Sequence, residues 1–348
     1  MELANSTALA ARAKTWDPGA EPGLREGAVV AKATFRYDPR GEVSLDTDDP
    51  YPLFDEDQRT PSGLIPRDDL PLEPDGFEVI FLGSAHAPGD VPVTELAVSL
   101  RVDEVERSLA VIGHRAAVGD AISPPMPFTT MPIGWESAFG GACEVLVDRE
   151  APVILCDPRN PAGRGFDPVP QAAALAAQLR CPEGYPVVPT GPRALPTVEH
   201  PSRRITRADD APEPASWATL PMSRPAHAKR SVDLDASRRE GGLVTAARLY
   251  HRAVDEWIIE RPAEGAEVVL RNLDPAGEVR FALPALRVAC DFRVGESAST
   301  LELLPEALVL LGASRRFTLR YRARFHYWEH EGEEASARLW TRAVGARR

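Results

Sequence analysis

Histidine is the residue type in this chain with the clearest potential for acid–base chemistry, and His86 is the best placed example. It follows the apolar run Phe77–Leu82 in a loop rich in glycine and proline, the kind of segment that often displays functional side chains. An imidazole has an ordinary pKa near neutral pH, which suits proton transfer. No motif supplies His86 with a partner serine, cysteine or aspartate. Two interpretations therefore stay open: a hydrolase or modifying enzyme centred on His86, or an imidazole that hydrogen-bonds loop backbone and fixes a turn.

Metal and cofactor chemistry has weaker signals. His326 and His330 have the i, i+4 spacing of metal ligands on a helix, but the alternating residues 316–327 predict a strand. Four strand residues span roughly 13 Å, which is too far for one metal ion to hold both imidazoles. The chain contains no phosphate-binding loop, dinucleotide fingerprint, nucleophile elbow or zinc-protease motif, and its four cysteines form no C-x-x-C pair. The sequence therefore predicts no metal site, no cofactor and no disulfide framework.

Composition narrows the range of partners. The 348 residues include 40 lysines and arginines against 52 aspartates and glutamates, a formal net charge of −12. Nucleic acids and anionic membranes are bound through basic surfaces, so the sequence predicts neither as a partner. No apolar run approaches the length of a membrane helix, and the first residues lack the basic start and apolar run of a signal peptide. We expect a cytoplasmic protein.

Alternation of apolar and polar residues predicts a mainly β protein with antiparallel, sandwich-like sheets, in two β-rich lobes with one or two short helices. The predicted strands are 29–37, 77–82, 96–102, 109–112, 266–270, 279–283, 286–292, 301–311 (two runs broken at Pro305) and 317–327, and the predicted helices are 171–180 and 242–259. Along the chain we expect an N-terminal tail with a helix-capable patch at 1–24, an N-terminal β-rich lobe at 25–168, a helix and proline-rich connection at 169–240, and a C-terminal β-rich lobe at 241–348.

Two segments concentrate charge of opposite sign. Residues 42–78 contain 12 acidic residues and two arginines, which predicts an irregular surface segment. This segment is either a solvated loop or a surface that attracts a basic partner protein electrostatically. The last predicted strand places four arginines on one face: Arg316, Arg320, Arg322 and Arg324. Like charges on one strand face repel, so either the protein's own carboxylates neutralise them or the face docks a partner protein at a terminal edge strand.

Five turn-rich segments occur in order along the chain, and composition alone does not explain them: Phe81–Gly89, Leu100–Val102, Pro127–Gly141, Asn160–Phe166 and Leu195–Glu199. Together they resemble an uncharacterised-domain family that is encoded beside type VI secretion spike, PAAR-tip and toxin genes in Gram-negative bacteria. The resemblance covers roughly residues 25–310 and is most specific in Ala138–Gly141 and Asn160–Phe166. It implies an adaptor or chaperone, not an enzyme, that binds a toxic effector and helps to load it onto the spike or its tip.

The resembling segments contain the candidate partner-binding residues, which are Trp135, Phe139, Arg164, Phe166 and His86. Aromatic side chains concentrate binding energy at interfaces, and arginine can clamp a carboxylate. Both residue types also have a structural interpretation. The aromatic side chains could pack in the core, with Phe139 anchoring the double-glycine turn, and Arg164 could bind carbonyl groups of the loop. Two other functions stay open beside the adaptor, namely a structural component of a contractile injection apparatus and the enzyme centred on His86.

Overall fold

The computed structural model describes residues 1–17, 21–54, 58–60, 63–65, 76–149, 152–221, 252–329 and 334–343. These residues form mainly β structure, which confirms the predicted fold class. In chain order the strands are β1 (Glu2–Asn5), β2 (Ala10–Trp16), β3 (Leu24–Tyr37), β4 (Val43–Leu45), β5 (Gln58–Thr60), β6 (Gly63–Ile65), β7 (Phe77–Leu82), β8 (Ser84–His86), β9 (Glu95–Val102), β10 (Val105–Ile112), β11 (Ala116–Val118), β12 (Ala121–Ile122), β13 (Thr130–Pro132), β14 (Phe139–Gly140), β15 (Ala142–Leu146), β16 (Pro152–Cys156), β17 (Arg164–Gly165), β18 (Arg193–Ala194), β19 (Val198–Glu199), β20 (Ile258–Ile259), β21 (Glu267–Asp274), β22 (Gly277–Ala282), β23 (Leu286–Val294), β24 (Ser297–Leu311), β25 (Arg316–Trp328) and β26 (Ala335–Ala343).

The α-helix of the described residues, α1, spans Val169–Leu179 and confirms the helix predicted at 171–180. Of the second predicted helix, 242–259, residues 242–251 lie outside the described residues. Its remaining part forms a 3₁₀ turn at Asp255–Trp257 followed by β20, not a helix. Within the described ranges no helix is long and apolar enough to cross a bilayer.

The larger sheet has ten strands. Its main path runs β1-β26-β23-β24-β25-β3-β2, with β7 joined in parallel to β24, β20 paired with β7, and β4 paired with β3. The helix-capable patch predicted near the N-terminus instead forms β1 and β2, because these residues complete the two ends of this path. The strand predicted in two runs at 301–311 is one continuous strand, in which a register shift at Pro305 absorbs the break.

The smaller sheet has five strands in the order β19-β10-β9-β21-β22. The strands predicted at 96–102 and 109–112 form the hairpin of β9 and β10, which pairs along its whole length. β9 also pairs with β21, which lies more than 160 residues further along the chain. Strands from the chain segments 25–168 and 241–348 are therefore hydrogen-bonded to each other in this sheet, as β3 and β25 are in the larger one.

One hydrophobic core joins the inner faces of the two sheets. Phe281 on β22 stacks on Phe317 of β25 with ring centroids 5.0 Å apart, and on Tyr37 of β3 at 4.9 Å. Trp217, from the predicted proline-rich connection, is 1% exposed and meets Trp257 edge to face. The part of this connection that follows α1 and is described, residues 180–221, therefore contributes a large core side chain, although its strands are only the two-residue β18 and β19.

The face of β3 that points away from the core is buried at Lys32 and Thr34. Lys32 and Thr34 are 5% and 1% exposed because the segment 46–54 crosses over them: Lys32 Nζ donates to the Pro52 carbonyl at 2.9 Å, and the Tyr51 N–H donates to Thr34 Oγ1 at 2.8 Å. Strict alternation in sequence identifies two strand faces, but only the tertiary structure decides whether the polar face meets water.

Three of the four arginines on this face of β25 pair with the protein's own carboxylates. Arg316 pairs with Asp49 at 2.7 Å, Arg320 with Glu78 at 3.3 Å, and Arg322 with Glu306 at 2.8 Å. Asp49 and Glu78 belong to the acidic segment 42–78, of which residues 55–57, 61–62 and 66–75 lie outside the described residues. From Arg316 to Arg322, β25 lies between β24 and β3, so these three arginines are not on an edge strand.

Candidate functional site: interlocked loops beside a cleft

Two loops of the most specific resembling segments are hydrogen-bonded to each other. The short strands β14 and β17 run in parallel, and the Arg164 N–H donates to the Ala138 carbonyl at 2.9 Å. The Phe166 N–H donates to the Gly140 carbonyl at 2.8 Å, and the Gly141 N–H donates to the Asn160 carbonyl at 2.8 Å. The segments 138–141 and 160–166 therefore form one structural unit, which we call the interlocked loops.

Asn160 is the central side chain of the interlocked loops. It is 1% exposed, and its amide Nδ2 donates to the carbonyls of Trp135 at 2.8 Å and Phe139 at 2.9 Å. Gly140 has a φ of +132°, and a Cβ on it would lie 2.1 Å from the Asn160 carbonyl oxygen. A glycine is required here, because only glycine combines this backbone conformation with so close an approach.

The two buried aromatic candidates are part of the protein interior. Trp135 is 2% exposed, and its Nε1 donates to the Thr219 carbonyl at 2.9 Å. Phe139 is 4% exposed and packs in a small core with Leu195 and Ile205, while the Arg159 guanidinium lies 5.4 Å from its ring centroid. Both positions therefore favour the structural interpretation of the motif, with Trp135 also forming part of a cleft wall.

Arg164 and Phe166 are half-buried on the same loop. Arg164 Nε donates to the Glu136 carbonyl at 3.0 Å, so the side chain ties β17 to the 3₁₀ turn Trp135–Ser137. This contact is the clamping of a loop carbonyl that the sequence left as one alternative. The structure thus brings Trp135, Phe139, Arg164 and Phe166 together around the interlocked loops.

His86 lies apart from the other four, on β8, which pairs with β13. Burial lowers the pKa of its imidazole, while the carboxylates of Asp274 and Asp90 act in the opposite direction. Asp274 accepts two hydrogen bonds from Arg315, at 2.8 and 2.9 Å, and one from the Ala276 N–H at 2.8 Å. These bonds hold the β21–β22 turn. Within the described residues no side chain that could act as a nucleophile is hydrogen-bonded to His86.

A cleft of about 540 Å³ opens beside the interlocked loops. Its lining combines apolar side chains with charged and polar ones: Trp135, Arg159, His200, Ser202, Arg203, Glu213, Pro214, Ala215, Ser216, Leu220, Val254, Asp255 and Glu256. Trp135 and Leu220 pack together with Ala138 and Val254, so the apolar part of the wall is continuous with the interlocked loops. Arg159, held by Asp157 at 2.7 Å and Glu213 at 3.2 Å, fixes the position of the charged rim.

The cleft also contains a histidine and a serine in contact. Ser202 Oγ lies 2.8 Å from His200 Nδ1, and the Ser202 N–H donates to the same nitrogen at 3.2 Å. These two bonds close a local two-residue turn. Among the described residues no carboxylate is hydrogen-bonded to the other ring nitrogen of His200, which is the contact that orients the imidazole in a catalytic triad. Nor does any group of three or more His, Cys, Asp or Glu side chains in the described ranges form an arrangement able to hold a metal ion.

Sequence reasoning missed Asn160 as a key residue and did not identify the cleft. Asn160 opens one of the two most specific motif segments, and an asparagine beside glycines signals a side chain that bonds neighbouring backbone. The cleft residues had no such signal, because segments 200–220 and 254–256 meet only in the tertiary structure.

A family model described as an uncharacterised protein conserved in bacteria (DUF2169) matches residues 23–322. The matched range includes the interlocked loops, the cleft residues and His86. No curated protein and no solved structure matches the chain.

Proposed function

The chain belongs to this bacterial family, and we propose that it is an adaptor or chaperone of type VI secretion, which binds a toxic effector and helps to load it onto the spike or its tip. The proposal takes its biological setting from the resemblance of Ala138–Gly141 and Asn160–Phe166 to proteins encoded beside such genes. Its molecular basis is that the same segments form the interlocked loops, which pack against the wall of the cleft.

The observation that carries the proposal is that the interlocked loops support a preformed cleft. The polar groups of Asn160 and Arg164 are engaged with loop backbone, which keeps the wall rigid. A rigid wall binds without the entropic cost of ordering a mobile loop. An apolar floor with a charged rim is the usual composition of a protein-binding site.

The enzyme alternative has less support. A histidine-centred hydrolase needs an imidazole in contact with a nucleophile and oriented by a third group. His86 has no such nucleophile in the described part of the chain, and the carboxylate of Asp274 is engaged with Arg315 and the Ala276 N–H. Binding a partner protein requires neither a nucleophile nor a group that orients the imidazole.

Co-expression with the products of the adjacent genes tests the proposal. We expect an effector or tip protein to co-purify with the chain in a stable complex at low salt. Substituting the exposed cleft residue Arg203→Glu should reduce the recovered partner at least tenfold, because it reverses a charge on the cleft rim. Arg207→Glu is the matched control, since Arg207 is exposed but does not line the cleft.

Three outcomes would contradict the proposal. One is recovery of the chain alone when all adjacent gene products are present at low salt. Another is assembly of the chain by itself into large symmetric particles, measured by light scattering, which would indicate a structural component of the apparatus. The last is turnover of an effector that is lost in His86→Ala, which would indicate an enzyme.

A further inference from the structure

Strands β24 and β25 separate at one end of the larger sheet. They pair with each other from Leu304 to Leu311 of β24, and the register shift at Pro305 marks where they part. Beyond that point, residues 297–303 of β24 pair only with β23, and residues 323–328 of β25 pair only with β3. Within the described residues, each of these two half-strands therefore has one edge whose backbone groups pair with no neighbouring strand.

The turn of the β23–β24 hairpin shows which groups lie on the open edge. Val294 and Ser297 face each other across the two residues Gly295 and Glu296, and Gly295 has a φ of +53°. In a two-residue hairpin the flanking pair is hydrogen-bonded, and the pairs then alternate along the strands. The N–H groups of Ala298 and Thr300 therefore point away from β23.

A groove of about 710 Å³ lies between the two open edges. Residues of β23, β24 and β25 line it, and aromatic side chains make up much of the lining. Phe292 lies 4.3 Å from Phe325 and 5.7 Å from Tyr327, measured between ring centroids, and Trp328 is 47% exposed. Phe292 and Phe325 are each 7% exposed, so the accessible aromatic surface of the groove comes from the half-buried Tyr327 and from Trp328. The groove thus combines an unpaired backbone edge with two accessible aromatic side chains.

The first four residues of this edge lack the features that usually protect a strand from pairing with another chain. Such protection comes from charged side chains, prolines, bulges or very short strands, and on β24 it begins further along, at Glu302 and at the register shift beside Pro305. The four residues Ser297–Thr300 are uncharged and exposed, and the first proline of β24 is Pro305. An exposed edge of small, uncharged residues accepts an additional strand readily.

We propose that the open edge of β24, residues 297–303, is a docking site for an extended segment of the partner protein, which adds to the sheet as one more strand. Backbone hydrogen bonds from such a segment supply affinity, and its side chains contact the half-buried Tyr327 and the exposed Trp328. A second copy of this chain is the less favoured occupant, because a net charge of −12 on each copy opposes their association. This inference rests on the proposed function and names the surface and the binding mode.

Proline at the open edge tests the inference in the co-expressed complex with the adjacent gene products. Ala298→Pro removes an outward N–H group and leaves the pairing with β23 in place, so we expect at least tenfold less recovered partner. Ala298→Ser keeps the N–H group and is the matched control. Far-UV circular dichroism of each purified variant shows whether it is folded.

Hydrogen exchange of the wild-type complex gives a second measurement that needs no variant. The amides of residues 297–303 should exchange at least tenfold more slowly in the complex than in the free protein. A complex that forms normally with Ala298→Pro, and shows no such slowing, would overturn the strand-docking inference while leaving the adaptor function intact. Failure to form any complex with the wild type would overturn both, and a wild-type homodimer that Ala298→Pro dissociates would identify a second copy as the occupant.

Discussion

A buried side-chain amide adds to the backbone hydrogen bonds that join the interlocked loops. The Asn160 amide donates to two buried carbonyls; without it the Trp135 carbonyl keeps the Ala138 N–H at 3.2 Å, while the Phe139 carbonyl loses its hydrogen bond. A buried carbonyl that loses its partner costs about 1–3 kcal/mol of stability. We therefore expect Asn160→Ala to lower the free energy of unfolding by about 1–3 kcal/mol, measured by urea denaturation.

The control for this substitution is another side-chain amide that also donates to a carbonyl. Gln171 Nε2 donates to the Cys156 carbonyl at 3.1 Å, but the residue is exposed on α1. Water replaces that bond, so Gln171→Ala should change stability by less than about 0.5 kcal/mol. Equal effects of the two substitutions would show that the interlocked loops do not depend on the Asn160 amide.

His86 should make the stability of the protein depend on pH. Burial lowers the pKa of the folded imidazole, so the unfolded chain takes up a proton at a higher pH than the folded protein does. The contribution of His86 to the free energy of unfolding should therefore fall as the pH drops below about 6.5, the ordinary histidine pKa, and the loss should be complete below the lowered pKa. Urea denaturation at pH 8 and pH 5.5 measures the difference.

His86→Gln should remove this component of the pH dependence, because glutamine does not titrate. His114→Gln, at an exposed histidine, is the matched control. If His86→Gln and the wild type lost the same stability between pH 8 and pH 5.5, the pH dependence would have another origin.

At the scale of elements, β24 carries two glutamate–arginine pairs in opposite environments. Glu306 is 4% exposed and contacts both Arg320 and Arg322 of β25. Glu302, four residues earlier, pairs at 3.0 Å with Arg287 of β23, and both of those side chains are half exposed. The two pairs differ in burial more than in chemistry, which makes them a matched comparison.

Glu306→Gln should lower the free energy of unfolding by about 3 kcal/mol or more, because it removes one charge of a buried pair. Burial raises the pKa of Glu306 to about 7, so the comparison is made by urea denaturation at pH 8, where this carboxyl is ionised. Glu302→Gln should cost less than about 1 kcal/mol, as expected for an exposed pair. A similar cost for both would mean that the buried pair contributes no more than a surface pair.

At the scale of the whole molecule, both sheets combine strands that lie far apart in the chain. β9 pairs with β21 and β3 with β25, so neither chain segment 25–168 nor 241–348 completes a sheet alone. We expect one cooperative unfolding transition, with coincident urea curves from tryptophan fluorescence and far-UV circular dichroism. Two separate transitions would instead support lobes that unfold independently.

Local patterns predicted many of the elements correctly, for reasons that are themselves local. The β9–β10 hairpin and the β21–β22 hairpin follow from alternation bounded by turn residues, and α1 follows from its alanine-rich composition. The first 17 residues were predicted less well. Their weak helical propensity is overridden by pairing with β26 and β3, which no local pattern encodes.

The candidate site was predicted in part. The motif segments identified the interlocked loops, because an arrangement of glycines and asparagine that permits close backbone contact is visible in sequence. The cleft and the open edge of β24 were not predicted, because each depends on the positions of segments that are separate in the chain. The cleft requires that Leu220 packs beside Trp135. The open edge requires that residues 297–303 lie apart from residues 323–328, with the groove between them.

The amino-acid sequence by itself determined the strand-rich character of the protein, its acidic charge and the segments that fold into the interlocked loops. Those features depend on steric and hydrophobic preferences that act over a few neighbouring residues. Only the tertiary structure decided that the arginine face of β25 is buried against Glu78 and Glu306, and that one edge of β24 stays open. Glu78 and Arg320 are 242 residues apart in the chain, so their pairing depends on which surfaces the folded chain brings together.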